Sequence, residues 1–203
     1  PMSSRTAKGT PSVQLLPIPR EEKITSIVSV ETFNNECYLL MLTKAGFIKR
    51  TPLSAFSKIR SNGLIAINLE EGDALTWVRL SSEGDSVLIG SSRGMTIHFR
   101  LDINELRPLG RTARGVKSMN LKDGDKLVSM DVLTSDLVDQ LAIIDDENDE
   151  NEDAIDSKSS NGPWVLVASA FGLGKRVPVT QFRLQKRSGM GLRALKFRIK
   201  DDT

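Results

Sequence analysis

What the chain has little of narrows its chemistry first. It holds one cysteine, Cys37, so no internal disulfide can close, and no Cys/His cluster is spaced to hold zinc. The setting "ECYLLML" reads as a strand in which a free thiol serves as a small buried apolar residue. Such cysteine usage suits a reducing compartment. The single histidine, His98, has no Ser or Cys partner pattern and reads as a half-exposed strand residue rather than a general base. Aromatic residues make up 5% of the chain and fall mostly in strand-like runs, which argues against base stacking on single strands. No run approaches the roughly 18 apolar residues of a membrane-spanning helix. The opening "PMSSRTAKGTPSV" has no apolar segment of the kind a secretory signal needs. "GLG" at residues 172–174 is a turn, because no strand–GxGxxG–helix context surrounds it.

Length and charge set the next bounds. The 203 residues suffice for one large or two small domains with a real core. The net charge of +2 conceals a segregation. Nine acids and no base lie between Asp139 and Asp156; the other 185 residues carry 28 Lys+Arg against 17 Asp+Glu, a net of +11. A basic body with an acidic insertion points to a polyanionic partner and a solvated, disordered acidic loop over about residues 139–161. Its nine uncompensated negative charges beside a basic body add the expectation that the loop competes with the partner for the basic surface.

The chain also repeats itself. "RTAKGTPSVQLLP", "IRSNGLIAINLEEGD", "RTARGVKSMNLKDGD" and "KRSGMGLRALKFRIKDD" each set an arginine three or four residues before a glycine. These glycines fall at 9, 63, 115 and 191, a spacing of 54, 52 and 76 that evens out once about 24 inserted residues are removed from the last interval. Between them recurs a second motif: "YLLMLTKAGFIKRTPLSAF", "SVLIGSSRGMTIHFRLDIN" and "WVLVASAFGLGKRVPVTQF". Each is an apolar strand, a turn at Gly46, Gly94 or Gly172, and a second strand. Lys49–Arg50 and Lys175–Arg176 occupy equivalent places, where the middle copy has Ile97–His98.

β-rich runs predict strands at "YLLML", "VLIG", "WVLVA", "LIAINL", "LTWVRL" and "LVSMDV". Glu71–Gly72–Asp73 and Asp123–Gly124–Asp125 suit hairpin turns, and "TPLSAFSKIR" has room for one helical turn. Four strands per unit at this period predict an all-β, propeller-like array of four-stranded blades: a preceding blade's tail in 1–20, blades over 21–72 and 73–124, and a blade with the acidic insertion over 125–203. Three blades leave two open faces, so low stability in isolation is expected.

"GxxKR(T/V)P(L/V)" at residues 46–53 and 172–179, together with "GRTARGVKSMNLKDGDKLVSM" at 110–130, resembles the C-terminal domain family of DNA gyrase A subunits. The resemblance covers nearly the whole chain outside the insertion. "NGPWVLVASAFGLGKRVP", preceded by an insertion, is most similar to plant and algal organellar forms. It implies a β-pinwheel disc with duplex DNA wrapped on its rim, of which this chain is about half. It implies an A2B2 holoenzyme formed with the gyrase B protein, ATP and magnesium sites on other domains or on that protein, no cofactor in this segment, and no membrane partner. It places the protein in a chloroplast or mitochondrion, with bacterial cytoplasm as the alternative. The family's catalytic tyrosine belongs to an upstream domain; the only tyrosine here, Tyr38, reads as strand core, as do Trp77 and Trp164. The family's basic, glycine-rich box belongs to its first blade, and "QKRSGMG" at 185–191 is a degenerate likeness in a later one.

Wrapping requires a curved row of cations meeting phosphates, with little base readout. Arg forks and Lys point charges supply it, and a loop glycine lets backbone N–H groups approach an oxyanion. The expected phosphate contacts are Arg5, Lys8, Lys49, Arg50, Arg60, Arg111, Arg114, Lys117, Lys175, Arg176, Lys186 and Arg187. No catalytic or metal residue is expected. The alternatives are a topoisomerase IV-type domain that binds DNA without tight wrapping, and a propeller that binds protein. An enzyme built on a propeller ranks third, since no paired carboxylates recur.

Overall fold

Apolar residues alternating on two-residue spacing, punctuated by glycine turns, give short antiparallel strands. The computed structural model describes residues 5–11, 14, 16, 18–19, 22–137, 139 and 163–197. Among these, the strands in chain order are β1 Cys37–Thr43, β2 Phe47–Pro52, β3 Leu75–Ser82, β4 Ser86–Ser91, β5 Met95–Arg100, β6 Val116–Lys117, β7 Leu127–Leu133, β8 Trp164–Ala168, β9 Gly174–Pro178 and β10 Leu192–Arg193. Single 3-10 turns follow β2 at Leu53–Phe56 and β9 at Val179–Gln181. Most of the acidic insertion lies outside the described residues.

The strands form a sheet of order β3-β1-β2-β6, a second of order β10-β5-β4-β7, and a third of β8-β9. The first two have one plan. A hairpin (β1–β2, β4–β5) gains its third strand (β3, β7) beside its first, and a two-residue strand (β6, β10) beside its second. That fourth strand comes from the glycine loop one repeat further along the chain, so consecutive repeats are laced together by backbone hydrogen bonds.

This lacing changes three sequence expectations. β3 begins at Leu75 and β7 at Leu127, past the expected unit ends at 72 and 124, yet they pair back to β1 and β4. The sheets therefore straddle the units 21–72, 73–124 and 125–203. The turns at Gly72 and Gly124 exist, with Asp73 N–H bonded to Glu70 O and Asp125 N–H to Lys122 O, but they close no hairpin. "LIAINL" is not a strand: the matching residues of later repeats pair with the hairpin one repeat before their own, and no hairpin is described ahead of β1–β2 to receive residues 64–69. Ile65 and Leu69 are accordingly exposed.

Alternation along β4 shows why the middle sheet is buried on both faces. Val87 and Ile89 join a cluster with Leu40, Leu42 and Ile48 of the first sheet and with Met119, Leu127 and Met130. Leu88, on the opposite face, packs with Val177, Phe182 and Ala194 of the third repeat. His98, opposite Leu88 in register, is thus 4% exposed and not half-exposed as its sequence suggests. Cys37 is only half-buried, at the start of β1, with Sγ 3.9 Å from Ser82 Oγ. Trp77 packs against the first cluster, as its strand position implies.

Candidate nucleic-acid interface

Lys49 and Arg50 leave β2 as neighbours and both are fully buried. Lys49 Nζ donates to the carbonyls of Gly110, Arg111 and Ala113. Arg50 donates through Nε to Leu106 O and through Nη1 to Leu101 O, and pairs with Glu83 at 2.7 Å, its guanidinium 4.6 Å from the Tyr38 ring. The three Lys49 protons are thus spent on three backbone oxygens of one loop. Burial, then the charge of Arg111, lowers the Lys49 pKa to about 8, so the ammonium persists at neutral pH. These two residues hold the next glycine loop and are not available to phosphate, which corrects the expectation for them.

The loop they hold carries the cations that do reach solvent. Gly115 has φ +104°, and a Cβ there would lie 2.6 Å from Ile48 O; Gly191 stands the same way against Thr96 O. Close backbone approach explains the repeat's glycine at these two positions; at Gly9 and Gly63 nothing described lies within 4 Å and only the positive φ calls for glycine. Arg114 is exposed, lies 4.2 Å over the Phe47 ring and ion-pairs with Glu70. Lys117 is exposed opposite Phe47, with Nζ 3.0 Å from Asn120 Oδ1. Arg111 is half-buried. Lys186 is exposed, whereas Arg187 is half-buried, donating to Glu105 O at 2.9 Å and Lys117 O at 2.6 Å. Arg5, Lys8 and Arg60 are exposed in irregular segments. Lys175 and Arg176 are exposed on β9, Arg176 lying 4.8 Å over Trp164.

Successive loops touch one another. Arg114 reaches Glu70 in the segment after Gly63, and Ser188 N–H donates to Ser118 O at 2.9 Å, close to Gly189 O, which accepts from Asn120. Cations from neighbouring repeats are thereby brought onto adjoining stretches of backbone. Sequence reading missed Arg193, which follows Gly191 by two residues as Lys117 follows Gly115, and which sits in β10 at the register position of Lys117 in β6. It also missed Arg107 and Arg183, exposed one residue after the buried Leu106 and Phe182. Aligning the repeats on their glycines would have found Arg193. The Gly–Asp turns have a role their sequence did not reveal. Asp73 Oδ1 accepts the Ala45 N–H at 2.8 Å, and Asp125 accepts from Ser91, Ser92, Arg93 and Lys126, tying each turn to its hairpin. Burial alone would raise the Asp125 pKa; these four bonds outweigh it and hold the carboxyl below its usual range.

Among the described residues no His/Cys/Asp/Glu group could hold a metal ion, and no helix is long and apolar enough to cross a membrane.

Comparison with known proteins gives this arrangement a family. The family described as DNA gyrase C-terminal domain, beta-propeller, matches residues 38–82, 85–134 and 163–202, breaking where the chain passes from one sheet to the next. The DNA gyrase A protein of Synechocystis sp. is 58% identical over 208 aligned residues, covering 100% of this chain and 24% of that protein. The chloroplastic/mitochondrial DNA gyrase A protein of Arabidopsis thaliana is 44% identical, covering 97% of this chain and 20% of that protein. A crystal structure of the C-terminal domain of DNA topoisomerase IV superposes with a TM-score of 0.70 at 28% identity, over 91% of this chain and 49% of that one. The chain thus spans about a quarter or less of the curated relatives it matches, and it belongs to the DNA gyrase C-terminal domain family.

Proposed function

We propose that this chain is the DNA-wrapping part of a gyrase A protein, binding duplex through its phosphate backbone and bending it around a basic edge. The observation that supports the reading is the direct contact between successive glycine loops, each of which carries exposed cations. The rungs are Arg60; Arg111, Arg114 and Lys117; and Lys186, Arg187 and Arg193, with Arg5 and Lys8 in residues 1–20 as the loop of a preceding blade. Smooth bending costs on the order of 1–6 kcal/mol per 20–30 base pairs, so several rungs must act together. The module performs no chemistry itself. In the A2B2 holoenzyme, with ATP and magnesium bound elsewhere, it presents the bent duplex to the strand-passing gate, and negative supercoils result. The compartment is one served by a bacterial-type gyrase. An organelle fits the 44% identity to the Arabidopsis protein, and the bacterial cytoplasm fits the 58% identity to the Synechocystis protein.

The test uses the full-length protein with Lys117, Lys186 and Arg193 changed to Gln. Each lost phosphate contact should make the slope of log K against log salt shallower by about 0.9. Relaxed circles ligated while bound should gain positive writhe with the unaltered protein and less with the variant. An unchanged slope would sink the reading. Binding without writhe would favour the topoisomerase IV-type alternative, which the 0.70 TM-score keeps in view. Salt-independent binding of a peptide would favour a protein-interaction module.

A further inference from the structure

The three hairpins align on Gly46, Gly94 and Gly172, which places Lys49, Ile97 and Lys175 at one position and Arg50, His98 and Arg176 at the next. In the first two, the glycine loop of the following repeat docks on the hairpin through the same bonds. Leu109 N–H donates to Arg50 O and Gln185 N–H to His98 O, both at 2.8 Å; Ser118 N–H donates to Gly46 O and Ala194 N–H to Gly94 O, at 2.9 and 2.8 Å. The side chain at the second position caps a carbonyl of the docked loop: Arg50 caps Leu106 O, and His98 lies 2.6 Å from Phe182 O.

The third hairpin has the same parts and no described occupant. Gly174 to Arg176 are exposed, no described donor reaches Gly172 O, and no described acceptor lies against Lys175. Arg176 already rests on Trp164, as Arg50 rests on Tyr38, so the guanidinium is held ready.

We propose that Lys175 and Arg176 form a clasp for backbone carbonyls, making the outer edge of β9 an acceptor for the glycine loop of one further repeat of the same polypeptide. The pair is then a structural joint, not a phosphate contact, and this stands whether or not the edge binds DNA. The occupant is specified by the two docked loops. It carries a glycine of positive φ against Gly174 O, the counterpart of Ile48 O and Thr96 O, because any Cβ there would collide. It then adds a short strand to β9. The relatives leave room for such a repeat, since this chain covers 24% of the Synechocystis protein and 49% of the topoisomerase IV domain.

The experiment uses the full-length protein carrying Lys175→Met and Arg176→Met. The clasp predicts faster amide exchange across residues 172–176, by about tenfold or more, and a lower melting temperature, with an unchanged salt slope for DNA. Arg176→His alone, the second repeat's solution, should largely restore protection, which keeps the test valid if the double variant fails to fold. A salt slope shallower by about one or two with unchanged exchange would make the pair phosphate contacts and overturn the inference. Exchange protection that depended on protein concentration would assign the edge to a second copy and overturn it equally.

Discussion

The first and second hairpins solve one problem with different chemistry. Both must satisfy a carbonyl on the loop docked from the next repeat. The first uses a buried arginine that also reaches Leu101 O and Glu83; the second uses a buried imidazole wedged between Phe182 O and Ser86 Oγ. The carbonyl fixes the need for a donor, and charge is optional. The comparison also explains why a lysine–arginine pair in a DNA-associated family is a poor guide to phosphate when it sits in a strand: the strand's neighbours reach it first.

Breaking the first joint should have the largest effect. Arg50→Met leaves the Leu101 and Leu106 carbonyls uncapped and Glu83 unpaired, a loss of about 3–5 kcal/mol. Chemical denaturation should show it as a collapse of the first sheet, and a change below about 1 kcal/mol would mean that the arginine is not the joint. Next come the docked glycines. Gly115→Ala adds a Cβ at 2.6 Å from Ile48 O on top of a φ of +104°, whereas at Gly63 nothing lies within 4 Å of the added atom and only the φ of +76° counts. Gly63→Ala should cost about 1–2 kcal/mol from left-handed backbone alone, and Gly115→Ala clearly more. Equal losses would show that docking does not constrain the loop.

The second joint should betray itself through pH. Burial lowers the His98 pKa below 6.5; the bond to Phe182 opposes this and the charge of Arg100 adds to it. The folded protein therefore prefers the neutral ring, with Nδ1–H donated to Phe182 O and Nε2 accepting from Ser86. Its contribution is complete above pH 6.5 and is lost as the pH falls below that value, because the unfolded chain binds the proton first. Stability measured from about pH 7.5 to about pH 5 should fall in the native protein and fall less in His98→Gln. Identical profiles would remove His98 from the account.

Much of the fold was legible because it is written in periodicity. "WVLVA" became β8 residue for residue, and "LTWVRL" and "LVSMDV" gained only one or two residues at their ends as β3 and β7. What stayed hidden was pairing. "LIAINL" has a strand's composition but no described hairpin to join, while Val116–Lys117 is a strand two residues long because β2 is there to receive it. The candidate site divides in the same way. Arg114, Lys117 and Lys186 stand out from the backbone at a glycine turn, where the sequence placed them. Lys49 and Arg50 carry equal charge and fall inside.

By itself, the sequence determined the repeat, the strands within it and the positions of glycine and charge, because each of these depends on residues a few places apart. Only the tertiary structure decided which cations face solvent and which hold the chain together. That outcome depends on a loop from the following repeat closing over β2, and a carbonyl brought close binds a buried ammonium or guanidinium before any phosphate can.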